Sequence, residues 1–117
     1  MYLHIINETR HQALAQTVRK AASLLARLRG LLFSPPLTVD QGMLIVPCNA
    51  IHCIGMTYAI DAIFIDKKLV VVGLAENLKP WRMSALYPRA HSCLELPAGV
   101  INKTGTQIGD QLIFQEV

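Results

Sequence analysis

Between Met43 and Leu74 the chain carries three apolar runs rich in β-branched residues, Met43-Leu44-Ile45-Val46, Ala59 to Asp66 and Leu69 to Leu74, parted by short polar breaks. Residues of this type suit a pleated surface, so each run reads as a strand. Asp66-Lys67-Lys68 joins the last two as a tight hairpin. Successive rather than alternate positions are apolar, so both faces of these strands need cover, which places them inside a sheet or barrel.

The flanks add weaker elements. Tyr2 to Ile6 is β-prone, and Asn7-Glu8-Thr9 after it suits either a hairpin turn or a helix cap. From Ala21 onward, Ala21, Leu24, Leu25, Leu28, Leu31 and Leu32 recur at helical spacing, with Lys20, Ser23 and Arg27 opposite. That predicts one amphipathic helix, ended near Gly30 to Phe33 by a glycine cap and by Ser34-Pro35-Pro36. Leu14 to Arg19 fits either that helix or a strand. Ala75 to Pro88 reads as a loop. Ala90 to Leu96 alternates, with Ser92, Leu94 and Leu96 on one face and His91, Cys93 and Glu95 on the other, as a half-buried strand would. Pro97 opens a single helical turn through Ile101, Ile108-Gly109-Asp110 turns the chain, and Leu112 to Phe114 closes it as a strand. The fold expected over residues 1–117 is therefore α+β: one compact domain, mostly antiparallel sheet or barrel-like, with one main helix and a short helical turn.

A chain of 117 residues, 52% of them hydrophobic, can fill such a core without metals or disulfides. Its longest apolar runs, such as Leu69 to Val72, are far too short to span a bilayer as a helix. The start Met1-Tyr2-Leu3-His4 lacks the layout of a secretory signal, and three cysteines suit a reducing compartment, so the cytoplasm is the expected location. The net charge of +3 is spread too thinly for nucleic-acid binding to be expected.

Reactive residue types concentrate in Pro47-Cys48-Asn49-Ala50-Ile51-His52-Cys53-Ile54-Gly55-Met56, with Asp61 shortly after. Cys48 activated by His52, itself oriented by Asp61, would give a nucleophilic triad for a small hydrolase or transferase. Cys48, His52 and Cys53 together with His91 and Cys93 could instead converge on zinc, but their spacing matches no recognised zinc pattern. The plainer alternative makes Cys48 a packed thiol and has His52 and Asp61 bond the backbone. Trp81 and Arg82, after the rigid Pro80, offer a flat face and a cation to an anionic ligand or a partner chain, or a Trp lid on the core. Glu95 sits mid-strand between Leu94 and Leu96, where a buried carboxylate costs several kcal/mol unless paired. Arg82, Arg27 or His52 could supply the partner.

Several segments in order, Arg27-Leu28-Arg29-Gly30-Leu31-Leu32, Gly42-Met43-Leu44-Ile45, Pro47-Cys48 with Ile51-His52, Met56, Ile60-Asp61 with Phe64-Ile65-Asp66, Pro80-Trp81-Arg82, Leu94-Glu95-Leu96-Pro97-Ala98-Gly99 and Gly109-Asp110, resemble the signature segments of the bacterial and archaeal family called domain of unknown function 192. The resemblance implies a compact β-rich domain with helical additions, favours a strand for Leu14 to Arg19, and carries no catalytic residues over. The function expected is a non-enzymatic accessory or binding domain for a small ligand or protein partner, without cofactor or bound metal. Its cleft would lie near Cys48 to Met56, lined by His52, Met56, Asp61, Trp81, Arg82 and Glu95.

Overall fold

The hairpin at Asp66 is built much as its residues dictate. Asp66 Oδ1 accepts the N–H groups of Lys68 (2.9 Å) and Val70 (3.0 Å), holding the turn from its first residue. Leu69 completes it in the left-handed region (φ 64°). In the computed structural model, which describes residues 2–21, 37–51 and 57–117, the strands are β1 (Tyr2–Asn7), β2 (Gln12–Ala21), β3 (Gln41–Ile45), β4 (Ile60–Ile65), β5 (Val71–Leu78), β6 (Ser92–Pro97) and β7 (Leu112–Glu116), with a short helix α1 (Val100–Thr104). They form one seven-stranded sheet in the order β5-β4-β6-β3-β2-β1-β7. The pair β2–β3 is parallel and the other pairs are antiparallel.

Register shifts in β1–β2 and β4–β5 add local twist, and the sheet curls into a half-barrel. Each strand contributes to the concave core, through Ile5, Val18, Leu44, Ile63, Val71, Leu94 and Leu112 among others. A second cluster, with Met43, Ile45, Ile60, Ala62, Phe64 and Cys93, covers the convex face of β3, β4 and β6. Full burial of one such side chain contributes about 1.5–3 kcal/mol, so two covered faces give a small chain ample driving force. β4, apolar at every position but Asp61 and buried at all six, is the strand that two covered faces require.

Backbone bonds draw the outer strands together, from Leu112 N–H to Leu69 O (2.8 Å), Val71 N–H to Asp110 O (2.9 Å) and Gly109 N–H to Val71 O (2.8 Å). Beside this seam Asp110 gathers donors. Its Oδ2 accepts from Asn7 Nδ2 (2.9 Å), Arg10 Nε (3.0 Å) and Gln107 N–H (2.9 Å), and its Oδ1 from Arg10 (3.2 Å). Burial works to raise the Asp110 pKa, but the bonds from Arg10, Asn7 and Gln107 outweigh it and hold the carboxyl below its ordinary range.

Several expectations are revised. Ala21 ends β2 rather than opening a helix, and the helix expected through Phe33 otherwise lies outside the described residues. Of Asn7-Glu8-Thr9, Asn7 ends β1, and Glu8 and Thr9 enter the β1–β2 turn, which runs from residue 8 to 11. β5 runs on to Leu78, into the stretch expected to be loop. β6 is buried on both faces, not half-buried, because loops cover its Cys93 and Glu95 side. The helical turn falls at Val100–Thr104 instead of Pro97 to Ile101: Pro97 still belongs to β6, and Gly99 (φ 103°) makes the bend that starts the helix.

Candidate functional site

Two loops meet over the convex face. Cys48 follows β3, and its N–H donates to His91 O (3.0 Å), just before β6. Tyr87 N–H donates to Asn49 O (2.8 Å), Ser84 N–H to Ile51 O (2.9 Å), and Ile51 N–H to Ser84 Oγ (2.9 Å). These bonds clip the 46–51 segment onto the loop that carries Trp81 and Arg82. Tyr87 anchors that loop: its ring stacks on Phe64 at 4.4 Å, and its hydroxyl donates to Leu74 O (3.0 Å). The ring lies over Gly73, where a Cβ would come within 2.3 Å of it, so glycine alone leaves room.

Beneath the clipped loops sits Glu95. In register it lies between Met43 of β3 and Ala62 of β4, on the face that also carries Cys93. It is 5% exposed, and its Oε2 has no hydrogen-bond partner among the described residues. Burial, with Cys48 nearby as a smaller contribution, pushes its pKa up to about 8. The carboxyl is therefore mostly protonated at neutral pH, a donor rather than an anion. Arg82, one expected partner, is exposed, while Arg27 and His52 lie outside the described residues.

Cys48 is half-buried, packs against the convex cluster, and its Sγ donates to Ala50 O (3.2 Å). Asp61 faces the other way. Fully buried, it accepts Asn77 N–H on Oδ1 (2.8 Å), and Gly99 N–H (3.1 Å) and Ile101 N–H (2.8 Å) on Oδ2. Gly99, the residue before α1, has no side chain with which to cap the helix, so Asp61 caps it from β4. Both oxygens serve the backbone, which is how the plainer alternative used this residue. Trp81 is 67% exposed on the clipped loop. His52 and Met56 lie outside the described residues. Thus Cys48, Glu95 and the loop of Trp81 and Arg82 come to one side of the sheet, and Asp61 turns to the other.

For the zinc arrangement, His91 borders a groove with Leu44 and Ser92 on the concave side, whereas Cys93 belongs to the convex cluster. Among the described residues, no three His, Cys, Asp or Glu side chains gather as a metal would require. The groove, about 290 Å³, has apolar walls from Leu3, Leu44, Val46, Leu69 and Phe114, and of the sequence candidates His91 alone borders it among the described residues. It was missed because its apolar walls come from four separate segments, each apolar for core reasons. The Asn7–Arg10–Asp110 cluster was missed too, although Gly109-Asp110 marked one side of it. No described helix is long and apolar enough to cross a membrane.

Comparison with known proteins decides the family. The model for DUF192, described as "Uncharacterized ACR, COG1430", matches residues 5–114. The chain belongs to the DUF192 family. A UPF0127 protein of Thermococcus sibiricus is 31% identical over 95% of this chain and 74% of its own length. Among solved structures, a protein of unknown function from Novosphingobium aromaticivorans superposes with a TM-score of 0.82 at 18% identity, over 97% of this chain and 84% of its own. A Sinorhizobium meliloti protein provisionally named a transcription regulator gives 0.80 at 23% identity, over 96% of this chain and 91% of its own. At such identities these two show the DUF192 fold alone.

Proposed function

We propose that this DUF192 chain is a non-enzymatic binding domain whose ligand or partner is recognised where the 46–51 segment and the 79–91 loop meet above Glu95. The observation that carries this reading is the Glu95 carboxyl, buried with Oε2 unpartnered among the described residues and pKa raised to about 8. A carboxyl held neutral in an apolar setting is a directed hydrogen-bond donor, and natural chains retain so costly a group chiefly where it is used. Cys48 would flank it, Trp81 and Arg82 would stand at the rim, and His52 and Met56, which follow Ile51 in the sequence, complete the proposed set. Asp61 would serve by fixing the Gly99 bend rather than by contact. The rival reading, a triad of Cys48, His52 and Asp61, has less support, because the Asp61 carboxylate is already committed to three backbone N–H groups.

The test is a thermal-shift screen of neutral and anionic metabolites against the wild type and Glu95→Met at neutral pH. A compound that raises the wild-type midpoint and loses that effect in the variant supports the reading. Equal shifts in both proteins, or no shift from any compound, would count against it.

A further inference from the structure

The loop after β5 presents a surface that the buried Glu95 does not need. Trp81, Met83 and Leu86 are 67%, 68% and 64% exposed, an unusual density of large apolar side chains on one short loop. Lys79, Arg82 and Arg89 are exposed among them, and from Asn77 to Leu94 the sequence contains no acidic residue. The loop does not hang free. Ser84 and Tyr87 fasten it to Ile51 and Asn49, so the residues between and beside those anchors project from a fixed frame. Trp81 is held at φ 67°, a conformation that a bulky residue adopts only at a cost.

We infer that this loop seats the protein on an anionic lipid surface, with Trp81, Met83 and Leu86 entering the headgroup boundary and Lys79, Arg82 and Arg89 meeting its negative charge. Exposed apolar side chains among cations are what an interfacial anchor uses, and tryptophan favours that boundary because its ring is amphipathic. A single-stranded nucleic acid would ask for more stacking faces, but Tyr87 is turned inward onto Phe64. A second copy of the chain would bring like charges together. The proposal shares Trp81 and Arg82 with the rim of the Glu95 site but does not rest on the Glu95 carboxyl, so Glu95→Met should bind the same vesicles as the wild type.

Trp81 is the sole tryptophan, so its emission reports the loop directly. The experiment mixes the whole chain with phosphatidylcholine vesicles and with phosphatidylcholine–phosphatidylglycerol vesicles, reading Trp81 emission and co-sedimentation at low and high salt. Partition to the phosphatidylglycerol vesicles alone, with a blue shift that salt weakens, is expected. Arg82→Gln should lower that partition about fivefold, the worth of one surface cation. Met83→Ser combined with Leu86→Ser should abolish the shift, with circular dichroism confirming the fold, since both side chains are exposed. No partition, equal partition to neutral vesicles, or full partition by the double variant would each overturn the proposal. Binding to soluble heparin without vesicle binding would overturn it too, in favour of a soluble polyanion.

Discussion

Raising the pH should destabilise this protein through Glu95. In the unfolded chain its carboxyl titrates near 4.5, and in the folded state at about 8. Between those values the folded state holds a proton that the unfolded chain releases, so stability falls as pH rises through the interval and levels off above it. Each pH unit is worth about 1.4 kcal/mol, so the full difference comes to about 5 kcal/mol. For a domain whose whole stability is typically about 5–15 kcal/mol, that loss would be conspicuous. Local opening that admits water to the carboxylate would cap it below this figure. The assay is urea unfolding at closely spaced pH values for the wild type and Glu95→Gln, whose amide is neutral throughout. Subtracting the two curves removes the titration of every other group. The wild type should lose ground steadily from about pH 5 to about pH 8. Because Cys48 adds to the upward push, Cys48→Ala should move the upper end of the window down. A difference that stays flat within about 1 kcal/mol, or that rises with pH, would refute the argument that burial governs this group.

Asp61→Ala should cost about 3 kcal/mol, since it strands three backbone N–H groups, and amide exchange at Gly99 and Ile101 should accelerate; a loss under about 1 kcal/mol would contradict the capping role. Gly73→Ala should cost about 2 kcal/mol by driving a methyl group into the Tyr87 ring. In a Tyr87→Ala background the same substitution should be nearly neutral, a non-additivity that urea midpoints would detect.

Strands whose residues satisfied a local rule were legible in the sequence. The β4–β5 hairpin was plain because its turn and both runs agree, and Glu95 was conspicuous as a charge between leucines. Harder cases turned on distant partners. Polar Glu76 and Asn77 hid the end of β5, which β4 pairing sustains. Cys93 and Glu95 looked like a solvent face because part of their cover, the segment from Cys48 to Ile51, lies some forty residues away in the chain. Nothing local to Asp61 shows that its acceptors face Asn77, Gly99 and Ile101, the last two some forty residues on. Of the ionic partners expected for Glu95, Arg82 is exposed and Arg27 and His52 lie outside the described residues, while burial by itself favours the neutral acid.

The strand order carries a consequence for biosynthesis. Among the described strands β1 comes earliest in the chain, yet it lies between β2 and β7, the latest, and Leu3 stands opposite Glu116. Until β7 emerges, one row of β1 peptide groups has no native mate, and the groove wall formed by Phe114 is missing. A nascent chain of this design therefore carries an open template from the synthesis of β1 until that of β7, and the intervening strands must form without that edge being paired.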